Sequence, residues 1–144
     1  MIMGAVQVQQ SLNYQLGLLH FAHLLVTVDG FVDEREKKAM HDLQLEEQIS
    51  EPVYLEFEKT ITPKSEREVF QQGVTLLNQC SEQEKLCALV HLYRMAEADN
   101  LVHVKEVRLL LYSLKATNVE FEDVVLSARM VKAGKDFALT HQRI

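Results

Sequence analysis

Apolar positions recur along this chain with the ~3.6-residue period of an α-helix, and no segment alternates with the period of two that marks a strand. Leu12, Leu16, Leu19, His23 and Val26 fall at steps of four, three, four and three, which traces one stripe of a first helix. Leu18, Ala22, Leu24 and Leu25 flank the stripe, so that helix is expected to be buried on more than one side. It should end near Val28, where Asp29-Gly30 signals a turn. Asp33-Glu34-Arg35-Glu36 has the form of a capping box and opens a second helix, with Ala39, Met40 and Leu43 inward. Ser50-Glu51-Pro52 opens a third, with Val53, Tyr54 and Phe57 apolar, and Thr62-Pro63 breaks it. Ser65 and Ser81 begin two more capping boxes, completed by Glu68 and Glu84. The first leads a face of Val69, Phe70, Gly73, Val74 and Leu77, the second a stripe of Leu86, Leu89, Tyr93 and Ala96. Val107, Leu109, Leu110, Leu111 and Leu114 give a strongly apolar sixth helix. Asn118 is expected to cap the last one, with Phe121, Val124, Val125 and Ala128 inward, and Gly134 suits its C-terminal end. The expected fold is all-α, a bundle of about seven helices.

Composition agrees with that expectation. Only 5 Gly and 2 Pro occur in 144 residues, too few for the many turns of a sandwich or barrel. Apolar residues make up 47% and charged residues 25%, which argues against intrinsic disorder. The net charge of −6 and the absence of a basic patch exclude a nucleic-acid partner of the usual kind. The apolar run from Leu16 to Val28 is interrupted by His20, His23 and Thr27, and no membrane span is expected. Met1 to Val6 lacks the basic start and apolar core of a signal peptide. Cys80 and Cys87 form neither a CxxC pair nor a zinc spacing, so both are expected as small hydrophobes of a reduced cytoplasm.

An internal repeat organises the chain. Shifted by seventy residues, Leu16 meets Leu86, Leu19 meets Leu89, Asp29 meets Asp99, Val32 meets Val102 and Glu36 meets Glu106. Each copy reads as an apolar helix, Asp followed by Gly or Asn, one apolar residue, Val, three residues, Glu, then a second helix. The domain is therefore expected at 12–133, with the repeat at about 12–46 and 82–116. An N-terminal extension (1–11) and a C-terminal tail (134–144) flank it. Two helix–loop–helix halves are expected to pack with pseudo-two-fold symmetry.

The stretches Leu25 to Glu36 and Met95 to Glu106 resemble the TerB-like family, and the resemblance extends over roughly residues 12 to 131. That family is associated with tellurite resistance, and its domain also begins a membrane-anchored DnaJ-like co-chaperone. The resemblance implies an all-helical fold of two related halves and a metal-linked role for acidic loop residues. Here these would be Asp29 and Glu36 in one half and Asp99 and Glu106 in the other. The second half departs from the pattern: Asn100 replaces the preferred Gly, and His103 and Val104 stand opposite Asp33 and Glu34.

Read as chemistry, Asp29, Asp33, Glu34 and Glu36 offer hard oxygen ligands suited to Ca or Mg, although their spacing is not that of an EF-hand. The same residues also serve as a turn, an N-cap and a box acid. Glu106 escapes the capping explanation, because His103 is a poor N-cap. His20 and His23 stand three apart on the first helix, His23 inward as a core histidine and His20 beside it; His41, His91, His103 and His141 show no HExxH or triad frame. No GxSxG, Walker A or GxGxxG motif occurs. The expected protein is a cytoplasmic, non-enzymatic stress-response module that binds a divalent cation through Asp29, Asp33, Glu36, Asp99 and Glu106. The alternative is a structural or protein-interaction domain, such as a homodimer, without metal.

Overall fold

A computed structural model describes residues 11–27, 34–98 and 104–130. Six helices run in order: α1 (Leu12–Thr27), α2 (Glu34–Glu46), α3 (Glu51–Ile61), α4 (Glu66–Asn78), α5 (Glu82–Ala98) and α6 (Val104–Thr117). A seventh helical stretch, α7, occupies residues 121–130, and no strand occurs among the described residues. The fold is the expected all-α bundle.

Local chemistry fixes most helix ends. At α3, the Ser50 side chain accepts from the Val53 amide and Pro52 sits in the first turn. At α4, the Ser65 hydroxyl accepts from the Glu68 amide while the Glu68 carboxylate accepts from the Ser65 amide, a complete capping box. Those hydrogen bonds hold the Glu68 carboxyl below its ordinary range. Ser81 and Glu84 make the same reciprocal pair at α5. The other oxygen of Glu84 accepts from Ser11, both from its hydroxyl at 2.9 Å and from its amide at 3.2 Å. Ser11 in turn accepts from the Tyr14 amide, as the cap of α1. One carboxylate thus ties together the N-termini of α1 and α5.

α1 lies at the centre. It packs most extensively on α4 and next on α5. Tyr14, Leu18, Phe21 and Leu25, at steps of four, three and four, are all nearly inaccessible. The expected stripe is therefore off-centre: Leu12 is exposed and Leu16 half-buried, because α1 meets neighbours on several sides. Two glycines permit the close α1–α4 approach. A Cβ on Gly17 would stand 2.8 Å from Leu77 Cδ2, and one on Gly73 would stand 3.2 Å from His20 Cβ. Leu77 is fully buried. Gly17→Ala is expected to cost about 1–3 kcal/mol by overpacking, offset in part by up to ~1 kcal/mol of helix propensity. A urea titration of the variant would read the net loss of stability.

The second helix of each expected half ends in the same way. Gln48 and Asn118 are the non-glycine residues at positive φ among the described residues, at 55° and 60°. At each, paired bonds close a Schellman motif: Gln48 N–H to Leu45 O with Ile49 N–H to Gln44 O, and Asn118 N–H to Lys115 O with Val119 N–H to Leu114 O. Asn118 is thus the C-terminal stop of α6 and not the N-cap of α7. Asparagine tolerates the left-handed conformation that this stop demands. The capping serines Ser11 and Ser81, the starts of α1 and α5, the starts of α2 and α6, and these left-handed residues all stand seventy positions apart.

Candidate functional site

The acidic residues singled out in the sequence fall at the α1–α2 and α5–α6 linkers. Asp29, Asp33 and Asp99 lie outside the described residues. Glu36 and Glu106 are the third residues of α2 and α6, and their side chains lie outside the described part.

The described residues bring a different polar group together, where the C-terminal end of α2 meets α5 and the start of α1. Tyr14 is buried, and its hydroxyl stands 2.7 Å from Glu47 Oε1 and 3.3 Å from Cys87 Sγ. One phenolic proton serves both acceptors, and the charged, closer carboxylate takes the larger share. Burial, with the neighbouring thiol and carboxylate, pushes the Tyr14 phenol far up, so it stays protonated. Glu47 Oε2 meets His91 Nε2 at 2.8 Å, and Glu46 Oε1 meets His91 Nδ1 at 3.2 Å. Arg94 approaches Glu46 at 3.9 Å from the next turn of α5.

His91 and Cys87 are four apart on α5, so they share a face of that helix and interact electrostatically. Burial alone would drive the imidazole pKa down. The neighbouring Cys87 and Glu47 outweigh it and hold His91 at about 9. The imidazolium returns the effect and holds the Cys87 thiol below its ordinary value against the desolvation cost. Cys80, by contrast, is half-buried just before α5 and is pushed up by burial.

Ligand atoms of Glu46, Glu47 and His91 lie within 4.8 Å of one another, a spacing that a metal ion could bridge. Without a metal these neighbours hold His91 protonated, so a metal ion would have to displace that proton. The constellation is an imidazolium held between two carboxylates, with a thiol one turn away on the same helix.

Two sequence expectations change here. Cys87 is exposed among polar groups and is no core hydrophobe. His20 is the deeply buried histidine of α1, at 2% exposure, while His23 is half-buried. His20 Nδ1 lies 2.6 Å from the Leu16 carbonyl oxygen and therefore carries the proton. Its Nε2 has no hydrogen-bond partner among the described residues, and its ring meets Phe57 edge to face at 5.2 Å. Burial drives the His20 pKa down, so the ring is neutral. The Cys87-x3-His91 spacing was the one sequence signal for the α5 site. Glu47 and Tyr14 enter only through tertiary packing, from forty or more residues away.

No family model, no curated protein and no solved structure matches the chain. No helix among the described residues is long and apolar enough to cross a membrane.

Proposed function

We propose that this chain is a non-enzymatic, TerB-like helical module of a stress response that binds a hard divalent cation, Ca or Mg, through its two acidic inter-helix linkers. The observation that carries the proposal is the recurrence, seventy residues apart, of helix cap, helix start, second-helix start and left-handed stop. Glu36 and Glu106 occupy the same third position of α2 and α6 in that frame, after linkers that each contain an aspartate. Two related halves with a shared core would set the two linkers in equivalent surroundings. A bound cation would order each linker and fix the angle between its helices.

Thermal unfolding with and without millimolar calcium or magnesium tests this. A cation at ~10 times its dissociation constant stabilises the folded state by about 1.4 kcal/mol, a rise of a few degrees in Tm. Glu36→Gln is expected to remove most of that rise. No rise with either cation, or an unchanged rise in the variant, overturns the proposal. One observation favours the metal-free alternative, a protein-interaction domain. Exposed large apolar side chains gather between 107 and 130, including Leu111, Tyr112, Phe121, Leu126 and Met130. The mass in solution by light scattering separates a self-associating chain from a monomer.

A further inference from the structure

We propose that Cys87 is the nucleophilic thiol of this protein, a modification site for small oxidants of the peroxide class, positioned by the His91–Glu47 pair and Tyr14. It involves a different part of the fold from the linkers and stands whether or not they bind a cation.

Three features of the geometry converge on the sulfur. Cys87 is exposed, so a small solute can reach it. His91 stands one turn along α5 on the same face, its Nε2 2.8 Å from the buried Glu47 carboxylate and its Nδ1 3.2 Å from Glu46. The Tyr14 hydroxyl closes a third side at 3.3 Å, bridging sulfur and carboxylate. A thiol beside an imidazolium that carboxylates hold in place is an arrangement that favours the thiolate. Among the described residues, the titratable groups around the sulfur are Tyr14 from α1, Glu47 from α2 and His91 from α5, with Glu46 and Arg94 one contact further out. Glu47 opposes ionisation of the thiol by its charge, and the imidazolium between them outweighs it. Cys80 provides a contrast within the same chain, since its thiol donates to the Leu76 carbonyl at 3.4 Å and burial keeps it protonated.

The chemistry balances without a metal or cofactor. The thiolate attacks one oxygen of hydrogen peroxide, an S–O bond forms and the O–O bond breaks. The sulfur is oxidised by two electrons to a sulfenic acid, and the peroxide is reduced. The departing hydroxide takes a proton from the His91 imidazolium and leaves as water, and His91 regains its proton from solvent.

Competitive labelling of the intact protein with iodoacetamide, from about pH 6 to about pH 10, tests the proposal, with each cysteine read separately by peptide mass spectrometry. In the wild type, the labelling midpoint of Cys87 is expected below the ~8.5 of a free thiol and that of Cys80 above it. His91→Gln, confirmed folded by circular dichroism, is expected to raise the Cys87 midpoint and slow its labelling near pH 6.5 about tenfold, the effect of one pKa unit. With hydrogen peroxide and a sulfenic-acid probe such as dimedone, the adduct is expected on Cys87 and not on Cys80. The proposal is overturned by a wild-type Cys87 midpoint at or above ~8.5. It is equally overturned by a midpoint unmoved in folded His91→Gln, or by dimedone adducts shared equally between the two cysteines. If His91→Gln does not fold, the wild-type profile and the peroxide experiment decide.

Discussion

Phe57→Ala is expected to destabilise the protein by about 3–5 kcal/mol, the usual cost of emptying a buried aromatic site. Phe57 is 2% exposed and carries the contact of α3 with α1. Its ring meets His20 at 5.2 Å, His23 at 6.2 Å and Tyr54 at 6.0 Å. Edge-to-face contacts of this kind add to simple burial. Truncation would leave a cavity among the rings of His20, His23 and Tyr54. On a domain of this size the loss corresponds to a Tm lower by roughly 10 °C or more. Chemical denaturation is expected to show a lower midpoint with an unchanged slope. A loss below ~1 kcal/mol would mean that α3 contributes little to the cooperative core.

The second large effect is expected at His91 and depends on pH. A folded-state pKa of about 9 lies well above the 6.5 of an unperturbed imidazole. The folded state therefore binds the proton more tightly than the unfolded chain. The resulting stabilisation is fully present below pH ~6.5 and is lost as pH rises through the folded value near 9. A difference of that size is worth roughly 3 kcal/mol, similar to the loss from breaking a buried ion pair. His91→Ala is expected to cost about that much near pH 6, because the buried Glu47 loses its cation, and the deficit should shrink toward pH 9 and above. Cys87 works in the opposite sense. Its lowered pKa gives a contribution that grows as pH rises toward the ordinary thiol value, so the net slope in the wild type is shallower than His91 alone would give. Urea titrations of wild type and variant at several pH values would measure both trends. A deficit independent of pH would show that His91 is not protonated in the fold.

The legibility of the chain differs between its levels. The helix starts were plain in the sequence wherever a serine stood three residues before an acid, because a capping box is a local chemical pair. Ser65 with Glu68 and Ser81 with Glu84 form as their spacing implies. Thr62-Pro63 ends α3 as expected, because proline denies the next turn its donor. Asn118 was misjudged for an equally local reason: asparagine suits both an N-cap and a left-handed C-terminal stop, and only the backbone bonds distinguish them. The α1 stripe was displaced because a helix apolar nearly all round offers several candidate faces, and neighbours choose among them. The same uncertainty interchanged His20 and His23.

By itself, the sequence determined the all-α class, the order of the helices and the capping-box starts of α4 and α5. These rest on interactions within a few residues of one another, namely periodicity, caps and stops. Only the tertiary structure decided which histidine is buried and which cysteine is exposed. It also decided that Tyr14, Glu47, Cys87 and His91 meet, and that the imidazole among them carries a charge. The physical reason is that burial and pKa belong to an environment built from distant segments. A cysteine and a histidine one turn apart share a face in any helix. Whether that face is a thiolate site depends on a carboxylate delivered from forty residues away.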